Sequence, residues 1–561
     1  MSVPTNQKLL DRWREEPAPL LPLLHAFHER DGCLSEESVR AISAGLRIPL
    51  AELFGSITFY HHLSREPGGR SFPRVCTGPI CRLRGAAAVL DGLEGAVAIP
   101  CPGRCDEPIP VLIEDRVLCG LSAETLAERA SPLPPPAPDG TTECVFSAIR
   151  EPGRDGLEGY RRTGGYRGLE AVLERMEPAD VLDLIDASGL AGRGGAGFPT
   201  GRKWRAVSQA PGREKFVVCN ADEGEPGCFK DRAIMDHDPH ALIEGMLAAA
   251  YATGASVGFV YLRYEYPATH RILARALAEA EEAGLLGERI LGRDFRFRIH
   301  LRRGAGAYIC GEETALLNSL EGKHPFPRNR PPFPVTHGYR DLPTAVNNVE
   351  TLATVPHILA HGAQWYRGLG VDGRPGTKLI SLSGDIRRPG NYEVPMGLPL
   401  RTLLQEWAGG APESREVLAV TMAGLSGGFL AGPDLEVSLD EAGIREKGAL
   451  LGAGGIMVFD DSRDMMEVAR SAMEFFAEES CGKCFPCRIG TRRLVERLNG
   501  GGPSELGEWL DEVADLGRTM KETSACGLGQ AAPLITSSLV EYFPDQVERH
   551  VRGRIRPDGK T

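Results

Sequence analysis

The sequence predicts a multidomain α/β protein. Its 561 residues exceed what one hydrophobic core organises, so three or four domains are expected. Residues 131–140, SPLPPPAPDG, form a stiff polyproline linker and the clearest boundary between them. Beyond it, short apolar strands alternate with helices up to residue 320. Residues 377–455 then change to short strands and glycine turns.

Composition narrows the function. A formal charge of -12 argues against nucleic acid as a partner. Residues 1–13 carry Lys8, Asp11 and Arg12 and no apolar run, so no secretory signal is expected. The one long uncharged run, residues 246–262, contains Thr253, Gly254, Ser256 and Gly258. It reads as a buried helix turning into a strand rather than a membrane span. Fourteen cysteines in such a chain point to thiolate ligands rather than disulfides.

Residues 21–55 have a helical period, with Leu23, Phe27, Val39, Ile42, Leu46 and Leu50 as core positions. Ser35, with Glu36 and Glu37 behind it, makes a helix start. His61 and His62 have no partner at metal-ligand spacing and read as surface or packing residues. Next come Cys76-x4-Cys81 and Cys101-x3-Cys105, separated by a short helix (86–93) and a short strand (96–99). Each pair then sits on a loop after an element. Four thiolates so grouped suit zinc or a 2Fe–2S cluster, and spacing alone leaves both open. Cys33, Cys119 and Cys144 lack such company and read as inert.

After a helical stretch (165–188) comes the loop on which the chain centres, GRGGAGFPTGRK, residues 192–203. Its glycines leave backbone N–H groups bare for an anion, and Arg193, Arg202 and Lys203 add positive charge. Gly192, Gly194 and Gly197 satisfy G-x-G-x-x-G, yet Pro199 and Gly201 stand where a dinucleotide fingerprint starts its apolar helix. The loop therefore reads as a phosphate cradle of a non-standard kind.

A buried strand at 216–219 leads into Asn220-Ala221-Asp222-Glu223-Gly224-Glu225-Pro226-Gly227, carboxylates and glycines where α/β sheets place ligands. A helix (241–252) and strands (258–262, 298–301) continue the alternation. They lead to a second glycine turn, Gly304 to Gly311, that opens a helix at 315–320 behind Glu312 and Glu313. Those glutamates are also ordinary complements to a helix dipole. Residues 377–455 show one helix near 400–407 and no catalytic grouping, and read as a spacer or docking surface.

The mostly helical remainder carries Cys481-x2-Cys484-x2-Cys487, with Cys526 well downstream. Three cysteines around a tight turn and a distant fourth favour a 4Fe–4S cluster over zinc, which more often takes two separated pairs.

GRGGAGFPTGRKW, CNADEGEPG, GAGAYICGEETALLNSLEG, PPFP, TAVNNVET, ESCGKCFPCRIGT and SACGLG follow one another in fixed order. Residues 169–543 thereby resemble the NADH-binding flavoprotein subunit of respiratory complex I and the diaphorase subunits of NAD-reducing hydrogenases and formate dehydrogenases. The part before the linker resembles the thioredoxin-like 2Fe–2S subunit of the same machines, fused at the N-terminus. The resemblance implies a helical and thioredoxin-like 2Fe–2S domain (1–130), the linker (131–140) and a Rossmann-like FMN- and NADH-binding domain (141–375). A small β-grasp-like domain (376–460) and a C-terminal helical 4Fe–4S domain (461–561) follow.

It implies FMN held by Gly192, Arg193, Gly194, Gly195, Lys203, Asn220, Asp222, Glu223, Asn347, Asn348 and Thr351. NADH is then contacted by Phe198, Glu225, Tyr308, Glu313 and Phe333, with Gly311 and Glu312 completing the cofactor set. The 4Fe–4S cluster falls to Cys481, Cys484, Cys487 and Cys526, and the 2Fe–2S cluster to Cys76, Cys81, Cys101 and Cys105. No side chain need act as acid, base or nucleophile, because hydride passes directly to FMN. The implied activity is NADH dehydrogenase (diaphorase) electron input to an iron–sulfur partner protein. The reverse, NAD-reducing direction is the runner-up, and a non-redox zinc scaffold the alternative of a different class. The expected location is the cytoplasm, peripheral to the inner membrane only through partner subunits. Four departures from the family pattern stand out: Cys228, Tyr264, Ala206 in place of a larger apolar residue after Lys203-Trp204, and a trimmed stretch between Cys81 and Cys101. Cys228 occupies a usual threonine position, where it either replaces a hydroxyl or brings an oxidisable thiol to the flavin. Tyr264 occupies a usual glycine, which raises the question of the backbone there.

Overall fold

The computed structural model describes residues 5–553. The outer ends of the 1–130 and 461–561 segments lie outside the described residues.

Four helices open the chain, Asn6–Trp13, Leu20–Asp31, Glu36–Leu46 and Leu50–Phe59. Ser35 caps the third, its hydroxyl accepting from the Ser38 N–H at 3.1 Å, so that one orphan donor of the first turn is satisfied. Leu23, Phe27, Val39 and Ile42 are buried as expected. Leu46 is only partly buried, and Leu50 is 37% exposed. Leu50 is no core residue: it is the first residue of its helix, a turn ahead of the buried Leu53 and Ile57.

Strands β1 (Arg74–Cys76), β2 (Val97–Ile99), β3 (Pro110–Ile113), β4 (Arg116–Cys119) and β5 (Ala127–Glu128) form one sheet in the order 2-1-3-4-5. β1 and β2 are parallel and the rest antiparallel, the thioredoxin-like arrangement. Residues 131–140 follow without regular structure but not as a free spacer. His237 bonds the Pro132 carbonyl, Arg150 donates to those of Pro134 and Pro135, and Ala137 packs on the domain of residues 377–460.

The central sheet is β6 (Phe216–Ala221), β7 (Val257–Leu262), β8 (Arg298–Arg303) and β9 (Thr344–Asn348), all parallel, in the order 8-7-6-9. The chain runs outward from β6 to one side and then returns to its other side, which puts a topological switch point between β6 and β9. Alternation along β6 shows how it is covered. Val217 and Cys219 face the helices Pro239–Thr253 and Val349–His361, whereas Phe216 and Val218 pack with Leu23, Leu24 and Phe27 of the N-terminal helices. The N-terminal helices thus supply the second layer of this sheet.

Strands β10 (Thr377–Gly384), β11 (Gly390–Pro395), β12 (Val417–Thr421), β13 (Phe429–Ala431) and β14 (Gly455–Asp460) order as 11-10-14-12-13, with β10 and β14 parallel. Renumbered within the domain this is 2-1-5-3-4, a β-grasp, with its helical turn at 400–407. Six helices from Met465 to Arg552 complete the described chain, and their core is continuous with that of the thioredoxin-like sheet. The run 246–262 is the end of a buried helix and the strand β7. Among the described residues no helix is long and apolar enough to cross a membrane.

Candidate cofactor sites

The glycine-rich loop lies at the switch point. The Arg193 N–H donates to the Thr351 hydroxyl at 2.8 Å, and a Cβ on Gly194 would stand 3.0 Å from that of Asn348. Gly195 and Gly197 take left-handed backbone, φ 121° and 63°, which side chains disfavour. Contrary to the sequence reading, a helix, Thr200–Gln209, does start directly after Pro199. Gly201 permits it, since a Cβ there would come within 2.7 Å of the Asp186 backbone in the neighbouring helix. From this helix Lys203 donates to the Val346 carbonyl at 3.0 Å, and the Trp204 indole to Asn347 Oδ1 at 2.9 Å. Residues 192–203 and 347–351 are thereby one unit.

The acidic turn after β6 and the second glycine turn form the facing wall. Asn220 Nδ2 donates to the Gly311 carbonyl at 2.8 Å, and the Tyr308 hydroxyl bonds the Glu225 carboxylate. Glu225 also accepts the N–H groups of Leu425 and Ser426 at 2.8 and 3.1 Å, and burial raises its pKa to about 7 against those bonds. Burial likewise lifts Asp222 well above the usual carboxylate range, although Arg263 opposes it. Two predicted carboxylates serve helix termini. Glu312 accepts from Thr314 and Ala315 at 3.0 and 2.9 Å, and Glu223 accepts from Asp231 and Arg232 at 2.9 and 3.2 Å. Glu313 pairs with Lys203 and Arg330 at 3.4 Å each, which ties the turn bearing Phe333 to this wall. Phe198 and Phe333 remain half exposed.

The sequence reading missed a third wall. Loops of the β-grasp domain enter the site, and residues 376–460 are therefore more than a spacer. Leu425 and Ser426 hold Glu225, and a Cβ on Gly195 would lie 3.7 Å from the Ala453 nitrogen. It also missed Lys230, which pairs with Asp231 at 2.7 Å and Glu350 at 2.8 Å below Asn348. Burial opposes that charge, and the two carboxylates outweigh it and hold the pKa above the lysine norm. Lys-Asp after a Pro-Gly turn gives no pattern signal. Only the fold brings Glu350 to it.

The four cysteines of the N-terminal site are all buried. Cys101 and Cys105 place their sulfurs 3.3 Å apart, and Cys76 lies within hydrogen-bond reach of Cys81 and Cys101. Arg263, itself buried, donates to the Cys101 carbonyl at 2.8 Å and to the Glu223 carbonyl, joining this site to the acidic turn. His62 packs here as read: it meets Glu265 at 3.0 Å and stacks on Tyr264. Tyr264 does not take left-handed backbone, so its substitution for glycine costs no strain. Its ring fills the space between His62 and Arg303 instead.

At the C-terminal site, Cys484 precedes the helix Phe485–Leu498 and Cys487 lies in its first turn. Cys526 caps the short helix Gly527–Ala531, where a Cβ on Gly529 would sit 2.8 Å from that of Cys487. Among the described residues no three His, Cys, Asp or Glu side chains close on one point as ligands of a single ion do. Cys228 is fully buried, with its sulfur against Gly455. Burial first, then Glu225 and Glu223, raise its pKa, so it is a packed thiol.

A bare-glycine cradle at a switch point, walled by carboxylates and flanked by two four-cysteine sites, fits a flavin nucleotide and two iron–sulfur clusters. The class is a flavin- and iron–sulfur-dependent oxidoreductase.

Family models agree segment by segment. Residues 6–107 match the thioredoxin-like [2Fe-2S] ferredoxin and 185–357 the Nuo51 FMN-binding domain. Residues 379–429 match the SLBB domain and 467–550 the NADH-ubiquinone oxidoreductase-F iron-sulfur binding region. A subunit of the NADH-quinone oxidoreductase of Rhizobium meliloti is 47% identical over 72% of this chain and 96% of its own. The alpha subunit of the NAD-reducing hydrogenase HoxS of Cupriavidus necator is 36% identical over 96% of this chain and 92% of its own. The crystal structure of an NAD+-reducing [NiFe]-hydrogenase in the H2-reduced state superposes with a TM-score of 0.80 at 31% identity. That match covers 97% of this chain and 94% of the hydrogenase chain. The chain belongs to the family of NADH-binding FMN and iron–sulfur flavoprotein subunits of complex I and the related hydrogenases. It carries FMN, one 4Fe–4S and one 2Fe–2S cluster, and its reaction is NADH dehydrogenation. Membership sets the zinc scaffold aside.

Proposed function

We propose that FMN lies on the glycine cradle against residues 347–351, with NADH entering between the half-exposed Phe198 and Phe333. The convergence of residues 192–203, 220–225 and 347–351 at the switch point carries this reading. Bound FMN supplies a two-electron hydride acceptor, and the clusters supply one-electron carriers. The chain's own residues bind, orient and exclude water. The glycine N–H groups hold the phosphate end, Asn220 and the 311–313 turn fix the facing wall, and Tyr308 with Glu225 closes it. No residue is needed as acid, base or nucleophile. Electrons leave for an iron–sulfur protein of a larger complex.

A second reading runs the module backwards, making NADH from electrons supplied by a partner. What favours it is the full-length match, N-terminal segment included, to an NAD-reducing hydrogenase chain, whereas the quinone oxidoreductase relative covers 72% of the chain. The site assignment is tested with Gly194→Val, which forces a side chain into Asn348. The expected protein keeps both cluster absorbances and loses most of its extractable FMN. Full flavin content in this variant contradicts the assignment.

A further inference from the structure

We propose that Lys378, at the start of β10 in the β-grasp domain, binds the phosphate of the flavin and so clamps two domains onto one ligand. The proposal rests on the glycine cradle being the FMN site.

The cations around the cradle differ in what they already hold. Arg193 donates to the Tyr366 hydroxyl at 2.9 Å and stands 3.9 Å from Glu350. Lys203 is engaged by Val346 and Glu313, and Lys230 by Asp231 and Glu350. Of the loop's cations, Arg193 and Lys203 are thus engaged within the protein, and Arg202 is exposed beside Phe198. Lys378 is different. It is 2% exposed, its single hydrogen bond goes to the Gly452 carbonyl at 2.9 Å, and among the described residues no carboxylate forms an ion pair with it. A buried ammonium without a counter-ion is costly, and a bound anion would relieve that cost.

The place of that anion follows from the turn Gly452–Gly454. Lys378 lies along it, with Cε 3.3 Å from where a Gly454 Cβ would be. Gly195, whose left-handed backbone belongs to the cradle, meets the same turn, a Cβ there lying 3.7 Å from the Ala453 nitrogen. The ammonium and the cradle backbone therefore meet at one turn, where a dianionic phosphate monoester would satisfy both. Burial lowers Lys378 to about 8. In that balance Glu350, the next largest influence, and Glu441 raise it and Arg193 and Lys230 lower it, and a bound anion would raise it again.

The test is equilibrium binding of FMN and of riboflavin, which lacks the phosphate, to flavin-free full-length protein, read by quenching of flavin fluorescence. Lys378→Met is expected to weaken FMN by about tenfold or more and to leave riboflavin within about twofold. Lys378→Arg is expected to recover part of the FMN affinity. Unchanged FMN affinity overturns the proposal, and so does an equal loss for both flavins, which marks a packing role. Should Lys378→Met not fold, the wild-type protein decides. Its FMN affinity should fall as pH rises above about 8 while riboflavin affinity stays level, and a level FMN profile overturns the proposal. If Gly194→Val also leaves FMN bound, the cradle assignment itself has failed, and the two failures are told apart.

Discussion

The two cysteine sites are built from the same ligands and stand in opposite surroundings. Cys76, Cys81, Cys101 and Cys105 are sealed, each less than a twentieth exposed, and lie against the turn after β6. Gly103 has no side chain because a Cβ would strike the Tyr266 hydroxyl, and Arg263 bonds both the Cys101 and Glu223 carbonyls. At the other site Cys481 and Cys484 are only half buried, and the next residue, Phe485, is 67% exposed, with Ile489, Arg488 and Arg492 exposed on the same helix. Cluster potential follows burial, charge and hydrogen bonding at the ligands. We propose that the sealed site exchanges electrons inwards with the flavin region and that the more exposed one meets a partner protein.

The largest effect expected from this contrast is in Cys526→Ala. It removes a ligand far from the flavin loops, so FMN is retained and an artificial acceptor served by the flavin is still reduced, while transfer to or from the partner complex is abolished. Loss of both activities with FMN bound, or retention of both, breaks the contrast. A smaller effect is expected at the sealed site. Arg263→Gln removes a buried positive charge beside Cys101, so the 2Fe–2S midpoint potential should fall by on the order of tens of millivolts in an EPR-monitored titration. The 4Fe–4S potential should stay put and Arg263→Lys should retain most of the wild-type value. Equal shifts in both clusters would sink the local account.

Smaller again is Phe485→Ser. An exposed ring adds nothing to folding, so Tm should be unchanged, and KM for the partner should rise by about fivefold, roughly 1 kcal/mol of docking. Unchanged KM removes Phe485 from the contact. The smallest effect is at His61, which pairs with Glu479 at 3.2 Å and so joins the N-terminal segment to the C-terminal helices. Burial lowers its pKa, and the hydrogen bond and charge of Glu479 outweigh that and raise it above 6.5. The folded state therefore holds the proton more tightly than the unfolded chain. The stabilisation is present in full below pH 6.5 and is lost as pH rises through the folded value. Wild-type Tm should fall over that window relative to His61→Gln, and parallel Tm profiles contradict the pairing.

Much of this was legible in the sequence because it is local. Strand and helix periods located β6, β7, β8 and the helix 239–253 to within a few residues, and cysteine spacing alone separated the C-terminal site from zinc. The N-terminal cysteines left zinc and 2Fe–2S open, and the family resolved them. What the sequence hid was long-range. Leu23 and Phe27 read as the core of a small helical domain, yet they pack on Phe216 and Val218 of the central sheet. Glu223 and Glu312 read as ligand-facing, yet helix termini claim their carboxylates, a choice set by the direction of the next helix. Lys378 and the turns at 424–426 and 452–454 carry no motif. The two turns reach the site only because the β-grasp domain packs against the flavin domain.

The most direct test of the central claim is an anaerobic titration of the fully loaded protein with NADH, followed by visible absorbance and low-temperature EPR. The account predicts that NADH bleaches the flavin band and that the EPR signal of a reduced cluster grows with it, with no partner present. Bleaching without any cluster signal, or no bleaching at all, contradicts it.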